Sequence, residues 1–218
     1  MLSYAIGDVH GSLGKLRKLI AKCRKHADGR PMKFVFLGDY IDRGPHSRGV
    51  IHCLIELQSQ LREQVVALKG NHEAIALAVI DGTLPAEDWL SEGGAATLRS
   101  YGINSARELP ADHVQWLRSL PLHYDDGRRF FVHAGIDPEN PLNQQDAFDL
   151  IWMREPFLSD NRDYGRLIVH GHTPVENDTP DLRANRLNLD TGAVYGGPLS
   201  AAVFDDGQTN PIAFLQAG

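Results

Sequence analysis

The chain has 218 residues, of which 42% are hydrophobic and 23% charged, and its formal net charge is −6. This length suits one domain, residues 1–218, with a sizeable core, and the composition excludes a disordered or low-complexity chain. The acidic balance without a basic stripe argues against a nucleic-acid partner, and no apolar run is long enough to cross a membrane. Because no signal peptide precedes the first apolar strand, we expect a cytoplasmic protein. The oligomeric state is left open.

The first half of the chain alternates predicted strands and helices. Short apolar runs predict buried strands at residues 4–6, 33–37 and 65–68. Apolar residues at helical spacing predict two helices between these strands, at residues 13–23 and 50–58. A βαβαβ order of this kind predicts a mostly parallel sheet flanked by helices.

The second half of the chain begins with a different pattern. Residues from about 74 to 122 predict a helical insertion rather than an independent domain, because the core is completed only afterwards. Five later apolar runs predict strands at residues 130–132, 167–169, 187–189, 201–204 and 212–214. The turn sequence at residues 205–207 predicts a hairpin between the last two strands.

Five short polar clusters each follow a predicted strand. They read GDVHG, GDYIDRG, GNHE, HAG and HGHT, at residues 7–11, 38–44, 70–73, 133–135 and 170–173. The carboxyl ends of strands in open α/β sheets form the ligand crevice, so we expect the clusters to converge there. Carboxylate, imidazole and amide ligands together suit Mn, Fe or Zn.

The spacing within the clusters indicates a metal site for phosphate chemistry. Asp8 and His10 are two residues apart, so an extended backbone points both side chains to one face. Asp39 has two carboxylate oxygens and can bridge two cations, roughly 3.5–4 Å apart, that activate a water and hold a phosphate. An arginine can neutralise the phosphate with its planar guanidinium, and a histidine can protonate the leaving oxygen.

The five clusters, in this order, resemble the signature blocks of the calcineurin-like metallophosphoesterases, specifically the phosphoprotein phosphatase branch. The resemblance spans residues 7 to about 197. It implies an α/β fold of the metallophosphoesterase type, with a βαβαβ core, central mixed sheets flanked by helices, and a helical insertion. It also implies an enzyme that uses two divalent metal ions, with Mn²⁺ expected and Fe, Zn or Ni as alternatives.

The resemblance implies six metal ligands. Two would bind the first metal, one would bridge, and three would complete the second metal: Asp8 and His10, then Asp39, then Asn71, His133 and His172. A metal-bridging hydroxide would then attack the phosphorus.

The resemblance also implies four catalytic residues. His72 would protonate the leaving oxygen and would be oriented by Asp42, while Arg43 and Arg154 would bind phosphate oxygens. One position departs from the protein phosphatases of the family, because Lys69 stands where arginine is common and lacks its fork geometry.

The sequence indicates the type of reaction more clearly than it indicates the substrate. The Asp42-Arg43 pair, and residues 89–94 (WLSEGG) followed by Thr97 and Tyr101, resemble bacterial and phage-type protein phosphatases. We therefore favour phosphoserine or phosphothreonine in a protein as the substrate.

Three alternatives remain. A symmetrical diadenosine tetraphosphate hydrolase shares residues 43–45 and 190–192, but its members usually differ at Asp42. A small phosphoester or cyclic nucleotide is a further possible substrate. A non-catalytic phosphate-binding protein is disfavoured because neither a metal ligand nor His72 is missing.

Overall fold

A computed structural model describes all residues, 1–218, and contains two five-stranded mixed sheets flanked by helices. The strands are β1 (Leu2–Ile6), β2 (Met32–Phe36), β3 (Val65–Ala67), β4 (His123–Asp125), β5 (Arg129–Val132), β6 (Leu167–His170), β7 (Asp181–Leu182), β8 (Arg186–Asn188), β9 (Leu199–Asp205) and β10 (Ala213–Ala217). The helices are α1 (Leu13–Ala27), α2 (Ser47–Leu61), α3 (Asn71–Asp81), α4 (Ala86–Trp89), α5 (Ala95–Tyr101), α6 (Ala111–Ser119) and α7 (Ala147–Trp152).

The strand order is β10-β9-β1-β2-β3 in the first sheet and β4-β5-β6-β8-β7 in the second. β1, β2 and β3 are parallel, as are β5, β6 and β8. The remaining strands are antiparallel: β9 and β10 on one side of the first sheet, and β4 and β7 at the two edges of the second. The mostly parallel arrangement predicted from the sequence therefore holds only for three strands of each sheet.

Alternating side chains on the strands build three buried clusters, of which the smallest covers the outer face of the second sheet. Tyr4 and Phe34 face the helical layer, where Leu16 of α1 and Leu54 of α2 belong to the same buried cluster. The intervening residues face the other way and form a second core between the sheets; they include Ala5, Val35, Phe131, Leu187 and Phe204. The period of two along each strand therefore gives a sandwich of sheets with helices outside.

The segment between β3 and β4 is helical, as predicted. It contains α4, α5, α6 and most of α3, and its Trp89 is buried in the same cluster as the helix-facing side of the first sheet. This shared core is why the segment packs as an insertion. The assignment of residues 1–218 to one domain stays a prediction.

All eight predicted strands are present, and β9 and β10 form the predicted antiparallel hairpin. Two short strands, β4 and β7, were not predicted. None of the helices is both long and apolar enough to cross a membrane.

Candidate active site

The five polar clusters come together where strands of both sheets end. β1, β2 and β3 lead into the first three clusters, and β5 and β6 lead into the last two. Contacts between sheets join them, since the backbone N–H of His172 donates to the Asp8 carboxylate at 3.1–3.2 Å. Of the ten predicted site residues, eight are buried, and only Arg43 and Arg154 lie at the surface.

Asp39 is the centre of the site. Its Oδ2 lies 3.3 Å from Nε2 of His10, and its Oδ1 lies 3.4 Å from Nε2 of His133. The carboxylate is shared by two groups of potential ligands, one with His10 and His72 and one with His133 and His172. The two oxygens of one side chain thus face two neighbouring positions.

Two histidines are oriented by backbone carbonyls. Nδ1 of His10 donates to the Ile41 carbonyl at 2.8 Å, and Nδ1 of His133 donates to the Leu37 carbonyl at 2.9 Å. This assignment, inferred from the hydrogen-bond network, leaves each Nε2 with a lone pair directed into the site.

The donor set fits a cation. Oδ1 of Asn71 lies 2.9 Å from Nε2 of His133 and 3.1 Å from Nδ1 of His172. Burial lowers the pKa of His133, and it lowers the pKa of His172 to about 3, so both rings are neutral near neutral pH and have a lone pair to offer a cation. Electron pairs of Asn71, His133 and Asp39 therefore face one another, an arrangement that a metal ion stabilises.

The buried acids fit the same conclusion. Burial, together with the charges of Asp190 and Asp39, raises the pKa of Asp8 well above its usual range. Burial raises the pKa of Asp190 to about 6. For Asp39 the effect of burial is outweighed by His133, His72 and His10, which hold its pKa well below the usual range. Bound cations would offset this concentration of negative charge.

His72 and Asp42 form a buried pair beside Asp39. Nδ1 of His72 donates to Oδ2 of Asp42 at 2.8 Å, and both side chains are fully buried. Burial lowers the pKa of His72, but the charges of Asp39 and Asp42 outweigh it and raise the pKa overall. Its Nε2 has no hydrogen-bond partner and lies 3.9 Å from Oδ2 of Asp39. The ring is therefore positioned to hold a proton that faces the site.

The two arginines contact different groups of potential ligands. Nη1 of Arg43 donates to Nε2 of His10 at 2.9 Å, and the guanidinium lies 5.9 Å from the Tyr195 ring. Nε of Arg154 lies 3.5 Å from Nε2 of His172. Each of the two groups that share Asp39 therefore has a guanidinium beside it.

The backbone at the site is strained. Positive φ angles occur at eight non-glycine residues, and five of these are predicted site residues: His10, Asp39, Asp42, Arg43 and His172. Such angles persist only where surrounding contacts over-determine them, and they cluster at functional sites.

Two glycines allow carboxylates to approach the backbone closely. A Cβ at Gly70 would collide with Oδ1 of Asp39, and a Cβ at Gly171 would collide with Oδ1 of Asp8. These contacts explain why glycine stands beside the proposed ligands at these two positions.

Glu73 and Asp190 are buried in the site, and the sequence analysis gave neither a role. Glu73 accepts hydrogen bonds from the backbone N–H groups of Asp39, Tyr40 and Gly70 at 2.8–2.9 Å. The sequence does contain a signal for the role of Glu73. It stands at the third position of α3, where a glutamate accepts hydrogen bonds from backbone N–H groups that have no partner in the helix. Asp190 stands beyond β8 in a segment that carried no metal-binding pattern.

Lys69 points away from the site. Its Nζ donates to the Arg118 carbonyl at the end of α6, at 3.4 Å. At this position the cation contacts the insertion rather than the ligand cluster.

Comparisons with known proteins agree with this geometry. The family model for calcineurin-like phosphoesterases matches residues 1–201. Serine/threonine-protein phosphatase 1 of Salmonella typhimurium is 32% identical, with 91% of this chain and 90% of the relative covered. The asymmetrical bis(5'-nucleosyl)-tetraphosphatase PrpE of Anoxybacillus flavithermus is 30% identical, with 96% and 93% covered.

A solved structure shares the fold. The cold-active protein-tyrosine phosphatase of a psychrophilic Shewanella is similar with a TM-score of 0.65 and 19% identity, with 100% of this chain and 80% of that chain covered. The family match extends over most of the chain and includes every cluster of the site. The protein therefore belongs to the calcineurin-like phosphoesterases and is a hydrolase of that metal-dependent family.

Proposed function

We propose that the chain is a protein phosphatase that hydrolyses phosphoserine and phosphothreonine monoesters. The buried His72–Asp42 pair, joined at 2.8 Å, carries this proposal. A serine or threonine alkoxide is a poor leaving group and needs a proton as the P–O bond breaks. A polyphosphate leaves as a stabilised anion and needs this help less. A site with an oriented proton donor therefore suits an alkyl monoester best.

The six predicted ligands would hold two divalent ions. Asp8 and His10 would bind one ion, Asp39 would bridge, and three residues would complete the other: Asn71, His133 and His172. When bound, the ions supply Lewis acidity that activates a water and neutralises phosphate charge. Mn²⁺ is the ion we expect, with Fe, Zn or Ni as alternatives.

The protein side chains would divide the remaining work. Arg43 contacts His10 and Arg154 contacts His172, so both guanidinium groups lie beside the ligand cluster and would bind the equatorial oxygens of one phosphate. Nε2 of His72 would give its proton to the leaving oxygen, while Asp42 holds the opposite ring nitrogen.

A second candidate is the hydrolysis of dinucleoside polyphosphates. The Phe148 side chain is 64% exposed, and its ring stacks on Trp152 with centroids 6.0 Å apart. Trp152 in turn contacts His172 edge-on, also at 6.0 Å. An exposed aromatic ring near a phosphate site can stack on a nucleobase. The tetraphosphatases among the reported relatives are asymmetrical, so a symmetrical cleavage is not favoured.

Parallel turnover of a phosphoserine peptide and diadenosine tetraphosphate distinguishes the candidates. We expect a higher kcat/KM for the peptide, lost on chelation and restored by Mn²⁺. A higher kcat/KM for the dinucleotide would overturn the proposal, and its products would then separate asymmetrical cleavage (AMP and ATP) from symmetrical cleavage (ADP alone). Phe148→Ala serves as the matched variant, because only dinucleotide turnover depends on base stacking and should fall.

A further inference from the structure

The insertion contacts the catalytic pair directly. Trp89 is buried, and its indole Nε1 donates to Oδ2 of Asp42 at 2.8 Å across 47 residues of sequence. The Thr97 hydroxyl donates to Oδ1 of Asp42 at 2.7 Å and accepts the Asp42 backbone N–H at 2.8 Å. Residues 89–94 and Thr97 belong to the segment that resembles bacterial and phage-type protein phosphatases. The proposed reaction assigns no role to them.

Together with His72, these donors fix the Asp42 carboxylate. Oδ2 accepts from both His72 and Trp89, and Oδ1 accepts from Thr97. With no exposure to solvent, Asp42 has no water to replace a lost donor. The carboxylate therefore has one orientation, and the His72 ring has the orientation that the carboxylate gives it.

The same insertion holds the strained backbone of this loop. φ is +69° at Asp42 and +64° at Arg43. The Arg43 backbone N–H donates to the Gly93 carbonyl at 3.2 Å, and a Cβ at Gly93 would lie 2.9 Å from that same nitrogen. A Cβ at Gly94 would press on the Trp89 ring. The two adjacent glycines thus let the insertion approach both Arg43 and Trp89.

We propose that Trp89 and Thr97 are positioning residues for the reaction. They would hold Asp42 so that Nε2 of His72 is directed at the leaving oxygen, an inference that rests on the proposed role of His72 as proton donor. On this account the insertion is part of the catalytic apparatus, and it acts without touching substrate or metal.

Matched substitutions separate positioning from packing. Thr97→Val keeps the shape of the side chain and removes the hydroxyl, whereas Thr97→Ser keeps the hydroxyl and removes a methyl group. Trp89→Phe removes the indole N–H, and Trp116→Phe is its control, because Nε1 of Trp116 donates to Gln58 at 2.8 Å, away from Asp42.

The first readout is steady-state kinetics on a phosphoserine peptide and on p-nitrophenyl phosphate. We expect Thr97→Val and Trp89→Phe to lower kcat for the peptide by roughly 10- to 100-fold, with little change in KM or bound metal. The loss should be smaller for the aryl phosphate, whose leaving group needs less protonation. Thr97→Ser and Trp116→Phe should stay close to wild type. Equal losses on both substrates, or no rescue by serine, would overturn the proposal.

The second readout does not depend on the substrate. In the Zn²⁺-loaded protein, which is diamagnetic, the His72 Nδ1–H should give a downfield proton resonance, assigned by its loss in His72→Asn. We expect this resonance to persist in Thr97→Ser and Trp116→Phe and to shift or broaden in Thr97→Val and Trp89→Phe. An unchanged resonance in the last two variants would contradict positioning. If the wild-type protein prefers diadenosine tetraphosphate, the proposed substrate is wrong, but the resonance still tests the positioning of His72.

Discussion

At the scale of single residues, the chemistry depends on which ring nitrogen each histidine presents. His10 and His133 donate Nδ1–H to backbone carbonyls and turn Nε2 towards Asp39. His72 instead donates Nδ1–H to Asp42, and its Nε2 is left without a partner. The partner of Nδ1 therefore separates these two proposed ligands from the proposed acid.

Asp39→Asn should abolish turnover by weakening metal binding. An asparagine keeps one oxygen and replaces the other with an amide NH₂ that cannot bind a cation, so one of the two positions loses a ligand. We expect the affinity for Mn²⁺, measured by calorimetry, to fall on the order of 100-fold or more.

Asp42→Asn is the control for this substitution. Asp42 is a buried aspartate of the same loop, and its carboxylate contacts His72 and the insertion. This variant should lose turnover and keep its metal. Tight binding of two ions by Asp39→Asn would contradict the bridging role.

At the scale of elements, the loop between β2 and α2 carries Asp39, Asp42 and Arg43 and has no regular structure of its own. Glu73 of α3 holds its first part through backbone N–H groups, and the insertion holds its second part. The loop is therefore ordered from two sides by residues distant in sequence.

Glu73→Gln should destabilise the protein and loosen the metal site. The amide NH₂ of glutamine would face backbone N–H groups that now donate to a carboxylate oxygen, which leaves a buried donor unpaired. We expect a loss of roughly 1–3 kcal/mol in the free energy of unfolding, measured with urea. The matched Glu63→Gln, at an exposed glutamate, should change it little. Equal stability of both variants would refute the role given to Glu73.

The elements that the sequence predicted are those with buried apolar runs. β1 and β6 are buried at every position, and the last three residues of β2 are buried, so these strands and the clusters that follow them stand out in the sequence. β4 and β7 were missed because they are short edge strands with polar, partly exposed side chains. The residues that we propose as metal ligands were predicted from their motifs.

The contacts between Asp42 and the insertion could not be predicted from the sequence. Trp89 and Thr97 reach Asp42 across 47 and 55 residues, and no local pattern encodes such a pairing. Trp89 is buried, and its indole N–H contacts a carboxylate that only the folded chain brings near it.

At the scale of the whole molecule, two sheets bring acids from distant segments into one buried site. Asp8 follows β1 and Asp190 follows β8. Both side chains are buried, and burial raises the pKa of each carboxyl group. A protein with net charge −6 thereby concentrates negative charge at the point where cations are expected.

Mn²⁺ binding should weaken as the pH falls through about 6. The pKa of Asp190 is raised to about 6 and that of Asp8 is also raised, so the metal-free site takes up protons below this pH. A cation must displace those protons. For each proton displaced, the affinity for Mn²⁺ falls about tenfold with every unit of pH below the pKa. Calorimetry from pH 5 to 7.5 in buffers of different ionisation enthalpy measures both the affinity and the proton release.

Asp190→Asn provides the control, because it removes one of these protons and should flatten the pH dependence. An affinity for Mn²⁺ that is constant from pH 5 to 7.5 would contradict the proposed coupling between the buried acids and the metal site.

The leaving-group dependence of His72→Asn tests the central claim most directly, because the claim is that an oriented histidine protonates an alkyl leaving group. The measurement is kcat for a phosphoserine peptide and for p-nitrophenyl phosphate, in wild type and variant, at equal metal content. We predict that the variant loses roughly 10²- to 10⁴-fold on the peptide and markedly less on the aryl ester. The same loss on both substrates would contradict the account.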